Sequence, residues 1–157
     1  MTRICVVDDN GSIRTVCREL LEDEGYMVDE LADGNVVEDY LKLSREPTVV
    51  LLDLRLPVKD GIEVLTAIAR DSTLATRHAY IVMTAWPQMA SPDWGWPEDA
   101  AAVLAQLQVP VLQKPFDLDD LLALIAGAAA RLAAASGALS EGEGAGIAAD
   151  KSAPTAA

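Results

Sequence analysis

The run TVVLL at 48–52 is the strongest constraint on how this chain folds. It has strand length and β-branched character, and it does not alternate apolar with polar positions. Both faces of such a strand must be covered, which places it in the middle of a parallel sheet with helices on each side. Three further runs, RICVV (3–7), AYIVM (79–83) and the weaker VPVLQ (109–113), have related character, and MVDEL (27–31) alternates like a half-covered strand. Between them the period changes. SIRTVCRELLEDEG (12–25) puts Ile13, Val16, Leu20 and Leu21 on one helical face and stops at Gly25. Helical spacing returns in 35–45, 61–71, 98–108 and 117–135, the last with Asp117 as its expected N-cap.

Five strands alternating with five helices predict an α/β fold with a parallel sheet, and right-handed crossovers leave few topologies. The length of 157 residues suits one domain with a real core. We assign 1–135 to that domain. Residues 136–157, SGALSEGEGAGIAADKSAPTAA, have no periodicity and are expected to be a disordered tail. The formal net charge is −13, and the tail contributes little of it (Glu141, Glu143 and Asp150 against Lys151). A folded part this acidic repels nucleic acid and anionic membranes, so neither is expected as a partner. Cys5 and Cys17 are spaced for neither zinc nor a disulfide framework and are expected as reduced thiols. MTRICVVDD lacks the apolar core of a signal peptide, and LLALIAGAAA (121–130) is too short to span a bilayer, so a cytoplasmic location is expected.

In open parallel sheets, sites form beyond the carboxyl ends of the strands. The residues there are Asp8 and Asp9 after the first strand, Asp53 after the third, Thr84 after the fourth, and Lys114 and Pro115 after the fifth. Three carboxylates at one edge repel one another unless a cation is present, and oxygen-only ligands suit Mg²⁺. Mg²⁺ and a lysine together can neutralise a transferring phosphoryl group. A carboxylate can itself be the nucleophile, giving an acyl phosphate.

VVDDN, LLDLRLPVKDG, VMTA and VLQKPF, in that order and on those elements, resemble the receiver domain of two-component response regulators, and the stand-alone chemotaxis type in particular. The resemblance covers about residues 3–133. It implies a flavodoxin-like, doubly wound sheet of order 2-1-3-4-5 with Asp53 as phospho-acceptor. It further implies Mg²⁺ held by Asp9, Asp53 and the backbone carbonyl of Arg55, with Asp8 acting mainly through water. Thr84 becomes the switch hydroxyl, Lys114 the partner of Asp53 and then of the phosphoryl group, and Lys114–Pro115 a cis bond. The implied partners are a sensor histidine kinase or phosphotransfer protein and a downstream protein. Ile13, Arg14 and the Pro115–Phe116 turn would lie in the docking region of the kinase. Self-phosphorylation and dephosphorylation are the only catalysis expected, in a monomer or weak dimer.

The chain departs from the family pattern at named positions. Val111 stands where a switch aromatic is usual, and Leu56 and Lys59 stand where methionines are common. Arg55 and Trp86, two residues past the acceptor and the threonine, flank the phosphoryl position in this family and influence its lifetime. The surplus length between Thr84 and Lys114 is WPQMASPDWGWP, which holds Trp86, Trp94 and Trp96. These tryptophans form either a partner-binding patch together with Val111 or a satellite cluster that folds back over the site. His78, the single histidine, is expected on the solvated surface, and Tyr26, Tyr40 and Tyr80 in the core or at its rim. The last helix is apolar nearly all round, which either reflects a covered outer face or the tolerance of alanine for exposure. Two rival functions remain. One is a receiver-like interaction module that works without phosphorylation. The other is a phosphohydrolase of the haloacid dehalogenase type, which needs an acid where this chain has Arg55.

Overall fold

The computed structural model describes residues 2–85 and 100–136. Strands β1 (Arg3–Val7), β2 (Met27–Leu31), β3 (Thr48–Asp53), β4 (Ala79–Thr84) and β5 (Val111–Gln113) form one sheet of order β2-β1-β3-β4-β5. All four pairings are parallel, and β3 lies in the middle with every residue buried. This is the flavodoxin-like arrangement that the family resemblance implies.

The helices are α1 (Gly11–Asp23), α2 (Val37–Leu43, entered through a 3₁₀ turn at Gly34–Val36), α3 (Gly61–Ala69), α4 (Ser72–Arg77), α5 (Ala100–Gln106) and α6 (118–136). Strand side chains alternate between two apolar layers. Cys5, Val7, Val50, Leu52, Tyr80 and Val82 face α2, α3, α4 and α5. Ile4, Val6, Val49, Leu51, Ile81 and Met83 face α1 and α6, which supply Cys17, Leu21, Leu121 and Ile125. Each fully buried Val, Leu or Ile contributes roughly 1.5–3 kcal/mol, so the two layers hold the sheet from both sides.

Several expectations are corrected. There are six helices among the described residues, not five. The stretch 61–71 ends its helix at Ala69, and Asp71 then caps a new short helix, its carboxylate accepting from the Thr73 and Leu74 amides at 3.1 Å each. Leu74 is buried against the core, which anchors that single turn. His78 is not on the surface but buried, 4% exposed. Its Nδ1 accepts the Thr48 amide at 3.1 Å, so the ring joins the start of β4 to the start of β3. Burial and the neighbouring Arg77 lower its pKa to about 4.

The tyrosines lie in the core or at its rim. Tyr80 is buried with its hydroxyl donating to the Leu74 carbonyl, while Tyr26 and Tyr40 are half-buried. Helix α6 buries Leu121, Ile125 and Ala128 and exposes mainly small residues, Ala123, Ala126, Gly127 and Ala130. Both cysteines are free and buried, and burial pushes both thiols up. Among the described residues no helix is long and apolar enough to cross a membrane. Of the expected tail 136–157, Ser136 is helical and ends α6, and the rest lies outside the described residues, as does the tryptophan segment 86–99.

Candidate functional site

The carboxyl edge of the sheet gathers the residues that sequence reasoning placed there. Asp53 is the last residue of β3 and Thr84 the last of β4. Asp8 and Asp9 follow β1, and Lys114 follows β5. One lysine ties the edge together: its Nζ lies 2.6 Å from Asp8 Oδ2 and 3.1 Å from Asp53 Oδ2. Asp8 lies 106 residues from Lys114 in sequence, so the contact exists only once β5 has docked. The Lys114 amide donates to the Thr84 carbonyl at 2.8 Å, which fixes the base of the lysine side chain beside β4. The Lys114–Pro115 bond is cis, as the resemblance implies.

The remaining carboxylate oxygens are held by backbone. Asp8 Oδ1 accepts the Asn10 amide at 2.9 Å, and Asp53 Oδ1 accepts the Arg55 amide at 3.0 Å. Asn10 in turn caps α1, its side chain accepting from the Ser12 and Ile13 amides. The first helix therefore starts from the same turn that aims Asp8. Asp8 and Thr84 are fully buried and Asp53 nearly so, whereas Asp9 is exposed.

Charge is unbalanced here. Ligand oxygens of Asp8, Asp9 and Asp53 lie within 4.8 Å of one another, and among the described residues one ammonium, that of Lys114, pairs with Asp8 and Asp53. Two unit charges at that distance repel by roughly 3.5 kcal/mol at an effective dielectric of about 20. Burial pushes the Asp53 carboxyl up; the Arg55 amide and Lys114 pull it back in part, and Asp8 pushes it further up. For Lys114, burial disfavours the ammonium, but its bonds to Asp8 and Asp53 outweigh this and raise its pKa. The donor set is all oxygen, with no thiolate or imidazole in the group, and its excess negative charge fits a hard divalent cation such as Mg²⁺.

Sequence reasoning missed three supports. Arg14 donates to the backbone carbonyl of Asp8 and also pairs with Glu30 at 3.4 Å, which braces the turn after β1. Lys59 forms an ion pair with Glu38 of α2. Gly34 touches the loop after Asp53 so closely that a Cβ there would lie 1.9 Å from the Lys59 carbonyl oxygen. The Arg14–Glu30 and Lys59–Glu38 ion pairs join different elements of the fold, which no local pattern announces. Of the expected docking residues, Ile13 and Phe116 are half-buried on the same side of the sheet, and Pro115 is exposed. Arg55 is exposed and Val111 is 39% exposed at the β5 edge. Trp86, Trp94 and Trp96 lie outside the described residues.

A family model described as the response regulator receiver domain matches residues 4–126. Sporulation initiation phosphotransferase F of Bacillus subtilis is 31% identical over 119 residues, which make up 76% of this chain and 86% of that protein. Protein CcdB of the same organism is 44% identical over 66 residues, 41% of this chain and 54% of that one. The regulator RpaA of Synechocystis is 30% identical over 125 residues, 80% of this chain and 48% of that protein. The chain thus spans about half the length of these last two relatives. Among solved structures, chemotaxis response regulator CheY4 of Vibrio cholerae is similar at a TM-score of 0.65 and 26% identity, covering 82% of this chain and 98% of that one. The response regulator protein TrrA of Thermotoga maritima, solved in complex with Mg²⁺-BeF, is similar at a TM-score of 0.63 and 25% identity, covering 81% and 98%.

Proposed function

Because the chain belongs to the response regulator receiver domains, we propose that it accepts a phosphoryl group on Asp53 from a sensor histidine kinase or phosphotransfer protein. The reaction depends on Mg²⁺, takes place in the cytoplasm, and signals by phosphorylation-dependent protein contact or by relay. The observation that carries this reading is the Lys114 bridge, which reaches Asp8 and Asp53 from the far end of the fold.

In the transfer, one Asp53 carboxylate oxygen attacks phosphorus on the side opposite the donor imidazole. The new oxygen–phosphorus bond forms as the phosphorus–nitrogen bond breaks, and the bonding pair returns to the imidazole. The product is an acyl phosphate on Asp53. Lys114 already lies 3.1 Å from Asp53 Oδ2 and exchanges that contact for the oxygens of the new phosphoryl group. The Thr84 hydroxyl, buried on the neighbouring strand, takes a second phosphoryl oxygen. When bound, Mg²⁺ held by Asp9, Asp53, the Arg55 carbonyl and, through water, Asp8 supplies charge neutralisation for the phosphoryl oxygens. Water later hydrolyses the acyl phosphate, at a rate influenced by Arg55 and Trp86, the residues two past the acceptor and two past the threonine in sequence. No separate substrate is turned over. Phosphorylation shifts a two-state equilibrium around Thr84 and β5, where Val111 replaces the usual aromatic reporter.

Intact mass after incubation with Mg²⁺ and acetyl phosphate tests this. One added phosphoryl group is expected, absent in Asp53→Ala and absent without Mg²⁺. No addition from acetyl phosphate or from a phosphorylated kinase would sink the reading and favour an interaction module that works unmodified.

A further inference from the structure

We propose that the Glu38–Lys59 ion pair clamps the 54–60 loop in the shape the cation site requires, so that Glu38 and Lys59 are positioning residues for metal binding. This rests on the receiver reading above. The loop leaves directly from Asp53, carries the Arg55 carbonyl, and is closed at its ends by the Gly61 amide donating to the Leu54 carbonyl at 2.9 Å. Its middle is high in energy. Val58 has φ +68°, with the Lys59 amide bonded back to the Pro57 carbonyl at 2.7 Å across it. A β-branched residue in that region costs on the order of 1–2 kcal/mol. Val58 is 82% exposed, so its own side chain recovers none of this by packing.

Such a conformation persists only when its surroundings over-determine it. The surroundings act on the next residue, Lys59, from two directions. Its carbonyl is pressed against Gly34, where a Cβ would approach to 1.9 Å. Its ammonium is held by Glu38 in the first turn of α2, with both side chains about three-quarters buried, at 26% exposure each. Helix α2 is itself fixed to the core through Val37 and Leu41. A partly buried pair of this kind is screened little by solvent, and removing one member strands the other. Without it, Val58 is free to leave the left-handed region. The loop then loosens around the Arg55 amide, which holds Asp53 Oδ1, and around the Arg55 carbonyl beside it.

Calorimetric titration of the full chain with MgCl₂ tests the clamp, using Glu38→Gln, Lys59→Gln and the exchanged pair Glu38→Lys with Lys59→Glu. Each single change is expected to weaken Mg²⁺ binding about tenfold, the scale of losses at supporting residues of metal sites, and the exchanged pair to recover most of it. Hydrogen exchange at the Gly61 amide, measured in EDTA, is expected to quicken roughly tenfold in the single variants and not in the exchanged pair. Singles that bind Mg²⁺ within twofold of the unmodified protein, or an exchanged pair as weak as the singles, would overturn the clamp alone. An unmodified protein that fails to bind Mg²⁺ at millimolar concentration would overturn the metal reading and the clamp with it.

Discussion

At the scale of single residues, two side chains sit where their types are uncomfortable, and each gives a measurable consequence. Val58→Gly removes the steric cost at φ +68° and loses no buried surface. Glycine's greater freedom in the unfolded chain offsets part of that gain, leaving an expected stabilisation of about 0.5–1 kcal/mol in urea unfolding. His78 gives the opposite kind of effect. The unfolded chain takes up a proton near pH 6.5, and the folded chain refuses it down to about 4. Stability therefore falls as pH drops across that window, by up to about 3 kcal/mol, and is flat above it. His78→Asn keeps an acceptor for the Thr48 amide, cannot be protonated, and should abolish this slope in a pH series of thermal melts. Neither feature was legible in the sequence. A lone histidine between Arg77 and Ala79 carries no pattern that marks burial, and a valine after proline does not announce a positive φ. By contrast Asp8, Asp9, Asp53, Thr84 and Lys114 were legible, because each ends or follows an apolar run and strand ends in a parallel sheet converge.

Secondary-structure elements meet most tightly at two glycines. A Cβ on Gly61 would lie 2.7 Å from the Asp53 carbonyl oxygen and 2.8 Å from Leu54 Cα, so the start of α3 touches the acceptor's own backbone. A Cβ on Gly34 would meet the Lys59 carbonyl still more closely. Both obstacles are backbone and cannot swing aside. Gly61→Ala and Gly34→Ala should each cost about 1–3 kcal/mol, with Gly34→Ala the worse of the two in chemical denaturation. Gly61 was visible in the sequence as part of a familiar loop. Gly34 was not, because its constraint comes from a loop 25 residues away. The helix at Ser72–Arg77 escaped notice for a related reason: a single turn has too few residues to show a period, and only the cap at Asp71 marks it. The central strand was more legible, since β3 needs cover on both faces and its unbroken apolar run shows it.

For the molecule as a whole, the crowded carboxylates of the site are a source of instability. Burial holds the Asp53 carboxyl above its ordinary range, so its neutral form favours the fold and its charged form opposes it as pH rises through that range. Asp53→Asn should then raise the thermal midpoint measured in EDTA. Adding Mg²⁺ should raise the midpoint of the unmodified protein and narrow or reverse that gap. The contact between Lys114 and Asp8 also has a consequence in time. A chain leaves the ribosome from its amino end, so both aspartate turns and three central strands emerge long before Lys114, which bridges Asp8 and Asp53. Until it arrives, Asp8 and Asp53 lack the ammonium that bridges them in the finished fold, and the last third of the chain supplies that bridge as well as completing the sheet.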